Sequence, residues 1–251
     1  MEKQHTKPII EVKDLVAKYG EKTILDGVSV NIYPEEVTVI LGGSGCGKTT
    51  LLKNILRLHE PFAGSVKMFD QELTNLEEEK FDQMLQNVGM LFQNGALLNS
   101  ISVYDNVAIP LEQHTNLPKE IIDKIIKVKL NLVNLSHAVY LAPSELSGGM
   151  KKRAALARAI ALDPKILFCD EPSAGLDPLT SEDLDALILK LKKQLKMSIV
   201  IVTHELASIH RIADKIIFLD NGKMLFNGSL DEAKQSGIKQ IETFFEAGKF
   251  D

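Results

Sequence analysis

The chain has 251 residues, of which 45% are hydrophobic and 25% charged, and its formal net charge is −5. This composition is typical of an α/β unit with a buried core, and the negative charge excludes the basic surface of a nucleic-acid-binding protein. Because no apolar run is long enough to span a membrane and residues 1–8 lack the apolar core of a secretory signal, we expect a cytoplasmic protein.

Short apolar or alternating runs predict the strands. The runs at 37–41, 166–169 and 199–202 are apolar throughout, as in strands covered on both faces, whereas the N-terminal runs alternate and predict an antiparallel flank. In chain order, the strands are expected at 9–12, 28–32, 37–41, 66–69, 88–92, 166–169, 199–202, 216–219 and 224–226.

Helical patterns lie between these strands and after them. From about 99 to 144 there is no strand-like run, and apolar residues recur at helical spacing from Ile121 to Leu130, which predicts a helical lobe. The stripe of Ile238, Ile241, Phe244 and Phe245 predicts a helix packed on its own domain, and the basic clusters are expected to be solvated helix faces. Further helices are expected at about 49–57, 150–162, 181–195 and 206–213, and the basic clusters lie at 151–153 and 190–196.

The segment from Gly42 to Thr49 carries the first chemical motif. It fits G-x-x-x-x-G-K-[ST] and directly follows the apolar run 37–41. Glycines let backbone N–H groups surround one anion, and the helix that follows directs the positive end of its dipole toward it. Lys48 is expected to reach the β- and γ-phosphates. The sequence thus predicts a nucleoside triphosphate site formed by Gly42, Gly43, Ser44, Gly45, Cys46, Gly47, Lys48, Thr49 and Thr50.

An apolar run that ends in two carboxylates forms the second motif, with Asp170 and Glu171 following residues 166–169. A hard cation prefers oxygen ligands, so Asp170 is expected to hold Mg²⁺. Glu171, one residue further, can accept a proton from an attacking water. By itself, this pattern is also typical of a strand that ends in an exposed acidic turn.

Ser147, Gly148 and Gly149 open a predicted long helix and form a second candidate anion site. An ordinary helix cap has the same composition. Two phosphate-binding helix starts in one chain are both satisfied if two copies dock head to tail, with Ser147 of each copy facing Lys48 of the other.

In combination, these motifs resemble the nucleotide-binding domain of ABC transporter ATPases over nearly the whole chain. The resemblance implies hydrolysis of ATP with Mg²⁺. It also implies an α/β P-loop NTPase fold with a mixed sheet, an antiparallel β flank and an inserted helical subdomain. The expected organisation is a single domain over 1–251, with a RecA-like core at about 1–94 and 145–251 and a helical subdomain at about 95–144.

The resemblance also assigns residues that contact the nucleotide. Tyr19 matches the aromatic residue that stacks on adenine. Ser147 and Gly149 match the signature motif, with Gly148 between them, and Asp177 matches the loop that crosses the dimer interface.

For catalysis, the resemblance implies that Glu171 is the general base. His204 matches the switch histidine that contacts the γ-phosphate, and Gln93 matches the glutamine that senses Mg²⁺ and couples the site to the helical lobe. The implied metal ligands are Thr49, Gln93 and Asp170.

Two blocks narrow the resemblance to one subgroup. Met150 stands where the signature usually has glutamine, and residues 146–160 are similar to the ATPases of Mla-type lipid transporters, which work with MCE-domain proteins. Residues 89–98 and 103–111 resemble the same subgroup and lie on the lobe that docks a permease. Apolar residues of these last two blocks are equally typical of internal packing.

The subgroup implies several partners and a location. The partners are a second copy of the chain, an integral membrane permease and an MCE-domain lipid-binding protein, and the location is the cytoplasmic face of the inner membrane. A small regulator of the STAS fold is a further partner that stays open, because relatives hold it with C-terminal tails longer than one that ends at Asp251.

Other functions remain open at this stage. Within transport, the same ATPase could serve an amino-acid or peptide importer or a lipoprotein exporter. Outside transport, an assembly scaffold or a division switch fits the same motifs, whereas DNA-maintenance members carry long coiled coils that this sequence lacks.

Overall fold

The computed structural model describes residues 7–247. They form two compact units: unit 1 contains residues 7–81 and 200–247, and unit 2 contains residues 82–199. Most of the N-terminal segment examined for a secretory signal, residues 1–6, lies outside the described range, as do residues 248–251. In the part of the chain that is described, no helix combines the length and the hydropathy needed to cross a membrane.

The secondary structure follows the predicted order, with one additional short strand and three additional helices. The strands are β1 Ile10–Tyr19, β2 Lys22–Ile32, β3 Val37–Gly42, β4 Ala63–Met68, β5 Gln71–Glu72, β6 Val88–Leu91, β7 Ile166–Asp170, β8 Ser198–Val202, β9 Lys215–Asp220 and β10 Lys223–Ser229. The helices are α1 Lys48–Ile55, α2 Glu78–Leu85, α3 Val103–His114, α4 Lys119–Leu132, α5 Gly148–Ala159, α6 Pro178–Leu195, α7 Leu206–Ile212, α8 Leu230–Lys234 and α9 Lys239–Ala247.

The N-terminal strands of unit 1 form the predicted antiparallel flank. Strand β1 pairs antiparallel with β2 on one side and with β4 on the other, and β4 continues to β5. Alternate residues are buried on each side of a register shift in β1, Ile10 and Val12 before it and Leu15 and Ala17 after it, so this sheet covers the core with one face.

Unit 1 also contains three strands of a mixed sheet. Strand β3 pairs parallel with β9, and β9 pairs antiparallel with β10. Every residue of β3 is buried, as the apolar sequence predicts, and the strand leads directly into the phosphate loop and α1. The C-terminal helix α9 packs on its own unit as expected, since Ile241 is fully buried and the rings of Phe244 and Phe218 are 5.6 Å apart.

Unit 2 combines a parallel strand pair with helices. Strands β6 and β7 pair parallel in register, with Val88 opposite Ile166 and Leu91 opposite Cys169. Between them the chain forms α3, α4 and α5 and two short 3-10 turns but no strand, as the sequence predicts for 99–144. The mixed sheet, the antiparallel flank and this helical insertion agree with the predicted α/β architecture.

Candidate nucleotide site

The phosphate loop lies in unit 1 between β3 and α1. Helix α1 begins at Lys48 after Gly47, which has φ 109 and provides no side-chain cap. The first N–H groups of the helix therefore remain available to an anion, and its first turn contains no acidic residue. The loop is anchored from behind, because the N–H of Gly222 donates to the carbonyl of Cys46 at 3.2 Å.

Lys48 lies against the carbonyls of its own loop. Its ammonium donates to the oxygen of Gly42 at 2.8 Å and to that of Gly43 at 3.0 Å. Cys46, whose thiol is 3.9 Å from the same nitrogen, is buried and fills space beneath the loop. A cation held beside several unshared helix N–H groups is the arrangement that binds a polyphosphate.

The loop and Tyr19 line one cavity of about 300 Å³. Tyr19 is the last residue of β1 and is 45% exposed, and its ring contacts that of His59 edge to face at a centroid distance of 4.7 Å. An exposed aromatic face beside a phosphate loop provides a surface on which a nucleobase can stack. The lining residues are Tyr19, Lys22, Ile24, Gly45, Gly47, Lys48, Thr49 and Thr50.

His204, also in unit 1, lies in the short segment between the buried strand β8 and α7 and is exposed. The hydroxyl of Thr203 accepts a hydrogen bond from the N–H of Glu205 at 3.1 Å, which fixes the backbone around the histidine. The imidazole is accessible, as a group that contacts a bound phosphate must be.

The two carboxylates lie in unit 2 at the end of β7. The buried residues Ile166 to Cys169 bring the chain to Asp170, which is half-buried, and burial raises the pKa of the Cys169 thiol, so that this side chain stays neutral. Glu171 has φ 46, a left-handed conformation that is uncommon for a residue with a side chain. Such strain is frequent at functional positions.

Gln93 follows β6 in unit 2 and is exposed. The main-chain carbonyl of Gln93 accepts a hydrogen bond from the ammonium of Lys152. The same ammonium also donates to the main-chain carbonyl of Glu171 at 3.3 Å. Lys152 is only 6% exposed, so the expectation that cluster 151–153 is a solvated helix face is wrong for this residue. Desolvation lowers the pKa of its amine, although the neighbouring carboxylates Glu171 and Asp170 oppose this effect.

The signature residues occupy the start of α5. Ser147 is the N-cap, and its hydroxyl accepts from the N–H of Met150 at 3.3 Å. Ser147 and Gly148 are exposed, whereas a Cβ added to Gly149 would lie 2.6 Å from the methyl carbon of Thr180. Glycine at 149 therefore lets α5 approach the beginning of α6 closely.

Asp177 caps that second helix. Its carboxylate accepts from the N–H of Thr180 at 3.0 Å and from the hydroxyl of the same residue at 2.5 Å, and these bonds lower the pKa of Asp177. The carboxylate and the neighbouring Leu179, which is 72% exposed, lie at the surface near the signature residues.

The predicted site residues thus divide between the units. Unit 1 holds Tyr19, the loop 42–50 and His204, and it brings the first two together around one cavity. Unit 2 holds Gln93, Asp170, Glu171, the signature residues and Asp177, and Lys152 joins the backbones of Gln93 and Glu171.

Three contacts were not predicted from the sequence: His59 against Tyr19, Lys22 in the cavity wall, and the burial of Lys152. Lys152 lies three residues after Gly149, and nothing in the sequence distinguishes it from its basic neighbours Lys151 and Arg153. Only its contacts in the folded chain do so.

Comparison with known proteins identifies the family of this chain. The family model described as ABC transporter matches residues 25–174. The chain is 39% identical over 238 residues to the intermembrane phospholipid transport system ATP-binding protein MlaF of Haemophilus influenzae, covering 95% of this chain and 90% of that protein. It is 38% identical to the methionine import ATP-binding protein MetN of Clostridium tetani, covering 89% and 70% of the two chains.

A solved structure shows the same fold with nucleotide products. An ATP-binding cassette determined as a dimer in a post-hydrolysis state, bound to ADP and Pi, superposes with a TM-score of 0.78 and 28% identity, covering 88% of this chain and 98% of that one. Since the family model matches more than half of the chain, and the phosphate loop and the carboxylates lie within the matched residues, the protein belongs to the ABC transporter family and is one of its ATP-binding and ATP-hydrolysing subunits.

Proposed function

We propose that two copies of this chain hydrolyse ATP head to tail and drive a membrane permease that moves phospholipids between envelope membranes. The observation that supports phospholipid as the cargo is the 39% identity to a phospholipid transport ATPase over 95% of the chain. Methionine import is the second candidate, because an ATPase of that system is 38% identical over 89% of the chain.

The nucleotide contacts follow from unit 1. The base stacks on Tyr19, and the phosphates lie along the loop 42–50, where Lys48 and the first N–H groups of α1 neutralise their charge. The hydroxyl of Thr49, which lines the same cavity, would be a hard oxygen ligand for Mg²⁺, and the resemblance assigns the same role to Asp170 and Gln93. When bound, the ion supplies charge neutralisation at the phosphates.

The surface of unit 2 supports a dimer. Ser147 and Gly148 expose the beginning of α5, and Asp177 lies at the surface close by. An exposed helix start that offers N–H groups fits the γ-phosphate of a nucleotide bound to a second copy. The related cassette that was solved as a dimer is consistent with this arrangement.

Hydrolysis requires a water molecule positioned for in-line attack and a group that accepts its proton. Glu171 performs the second task, and its backbone has the left-handed conformation that is frequent at functional positions. His204 contacts the γ-phosphate and orients the water, and Gln93 connects the site with the loop that follows β6. Loss of the phosphate that bridges the two copies then lets the dimer open.

The permease contact is assigned to a groove in unit 2. This groove has a volume of about 460 Å³ and lies between the loop after β6 and α3, where Ile109 and Pro110 of α3 face Phe92 and Ala96. Val107, Ala108 and Leu111 of the same helix are buried, so the apolar block 103–111 serves internal packing on one face and the groove on the other. The exposed Phe92 offers an apolar contact for a short helix of a permease.

The position of the groove fits a role in coupling, because its wall includes Phe92 and Ala96 of the loop after β6, which also contains Gln93. The permease would hold the chain at the cytoplasmic face of the inner membrane. An MCE-domain lipid-binding protein is proposed as a further component of the complex.

Two experiments test the proposal. Affinity isolation of the tagged chain from gently solubilised membranes, followed by mass spectrometry, is expected to recover a permease, an MCE-domain protein and phospholipid. Recovery of a methionine permease without phospholipid would instead establish the second candidate.

For the chemistry, Glu171→Gln is expected to lower the ATP turnover of the purified chain about a hundredfold or more while ATP affinity is retained, because general-base catalysis contributes on that scale. Glu182→Gln, at an exposed position of α6, is the matched control and should turn over normally. Normal hydrolysis by Glu171→Gln would show that another group is the base.

A further inference from the structure

Helix α5 holds the loop after β6 through a row of side chains. Lys152, Ala155 and Arg158 are spaced by three residues and lie on one side of the helix. The guanidinium of Arg158 donates to the carbonyls of Gly95 and Ala96, both at 2.8 Å. A Cβ added to Gly95 would lie 3.3 Å from that of Ala155, so backbone and helix are in close contact here.

Lys152 is the residue of this row that also reaches the end of β7. Its ammonium, on a side chain that is almost fully buried, donates to the carbonyl of Gln93 and to that of Glu171 at 3.3 Å. Burying an ammonium is unfavourable unless its protons are shared with acceptors. These two carbonyls provide that compensation, so the charge and both backbone segments depend on one another.

The backbone of Glu171 needs such support. Its φ of 46 lies in the left-handed region, which disfavours a residue with a Cβ. Its carbonyl accepts a second hydrogen bond, from the N–H of Ala174 at 3.2 Å, so the turn after β7 is held from both sides. Because the backbone conformation fixes where the side chain can point, a shift of this turn would displace the carboxylate.

We propose that Lys152 is a positioning residue for ATP hydrolysis, whose ammonium ties the backbone at Gln93 to the backbone at Glu171. A displacement of the loop after β6 is then accompanied by a displacement of the Glu171 carboxylate, which accepts the proton. The inference rests on two proposed roles, that of Glu171 as base and that of Gln93 as the residue that connects the site with the loop after β6. Lys152 itself contacts neither nucleotide nor water in this assignment.

The kinetic test uses the full chain with Lys152→Met, which keeps the length of the side chain and removes its charge. We expect kcat to fall about 10- to 100-fold, since a misplacement of about 1 Å in a catalytic group has effects of that size. KM and the Kd for ATP should stay within about twofold, because interactions made equally in the ground and transition states are unchanged. Lys152→Arg, which keeps the charge and the donors, should restore most of the activity.

Lys151→Met is the matched control, because Lys151 is the preceding residue of α5 and is only half-buried. It should behave as the unmodified chain. Equal kcat values for Lys152→Met and Lys151→Met would overturn the proposal. So would a loss of ATP affinity that accounts for the whole effect, or an arginine variant no more active than the methionine variant, since either result indicates a structural role only.

Hydrogen exchange measures directly whether Lys152 connects the two backbone segments. The N–H groups of Gly95 and Ala174 donate to the carbonyls of Phe92 and Glu171 at 2.8 and 3.2 Å, so hydrogen exchange at these amides reports on both segments. Lys152→Met should accelerate exchange at both, and acceleration at one alone would refute the connection. If Lys152→Met does not fold, Lys152→Gln and Lys152→Arg decide the same question by their kcat values.

Measuring Glu171→Gln in parallel separates the two levels of the assignment. If Glu171→Gln loses turnover and Lys152→Met does not, the proposed base stands and the positioning role is refuted. If Glu171→Gln turns over normally, the proposed base is refuted whatever Lys152→Met does.

Discussion

Replacing Gly42 by alanine should destabilise the protein far more than the same change at Gly43 or Gly45 of the phosphate loop. Gly42 is the last residue of β3 and has φ 144. An added Cβ would lie 2.1 Å from the carbonyl oxygen of Leu219 and 2.6 Å from the sulfur of Cys46. Because Leu219 is the partner of Gly42 in the parallel pairing of β3 with β9, its carbonyl cannot withdraw without disturbing the sheet.

The size of the effect follows from two contributions. A residue with a Cβ in a disfavoured backbone region costs about 1–3 kcal/mol, and a steric overlap in a packed interior costs about 1–3 kcal/mol more. Gly42→Ala should therefore lower the free energy of unfolding by about 2–6 kcal/mol. Gly45 has φ 74 but nothing within 4 Å of the added Cβ, so Gly45→Ala should cost only about 1–2 kcal/mol.

Gly43→Ala completes the series, because Gly43 has neither a positive φ nor a neighbour within 4 Å of the added Cβ. The assay is urea-induced unfolding of the three variants and the unmodified chain, followed by circular dichroism. The expected order of destabilisation is Gly42→Ala, then Gly45→Ala, then Gly43→Ala with almost no effect. If Gly42→Ala and Gly45→Ala agree within about 0.5 kcal/mol, the steric part of the reasoning is wrong.

Two further predictions concern unit 1. Tyr19→Ala should weaken ATP binding about 5- to 100-fold, as expected for the loss of one stacked base, but leave the binding of inorganic tripolyphosphate unaffected. The control is Tyr140→Ala, at a residue that is 77% exposed. Equal losses of affinity for both ligands would argue against stacking. Burial, with a smaller contribution from Lys234, lowers the pKa of His210 below 6.5. The folded state therefore binds fewer protons than the unfolded state. As a result, this group makes stability fall as the pH drops from above 6.5 to below the folded pKa. His210→Gln should therefore lose less stability than the unmodified chain between about pH 7.5 and pH 5.5 in urea unfolding, and identical pH dependences would contradict this.

The order of strands and helices and the phosphate loop were predictable because their signals are local in sequence. The fully apolar run before Gly42 and the Gly-Lys-Thr that follows it specify strand, turn and helix within a few residues of one another. Strand β1 is an exception, since it continues to Tyr19 although only 9–12 was predicted. Pairing with β2 and β4, with shifts of register after Val12, extends it through residues that have no strand-like pattern of their own.

The sequence by itself determined the strand, loop and helix of the phosphate site, because that motif is contiguous in the chain, and its motifs in combination resemble those of ABC ATPases. Only the tertiary structure decided that Lys152, one of three adjacent cations, is buried and bonded to the carbonyls of Gln93 and Glu171. It likewise decided that His59 packs against Tyr19. The physical reason is that burial and hydrogen bonding depend on segments far apart in the chain, whereas a lysine in a helical pattern looks the same in sequence whether it meets water or backbone carbonyls.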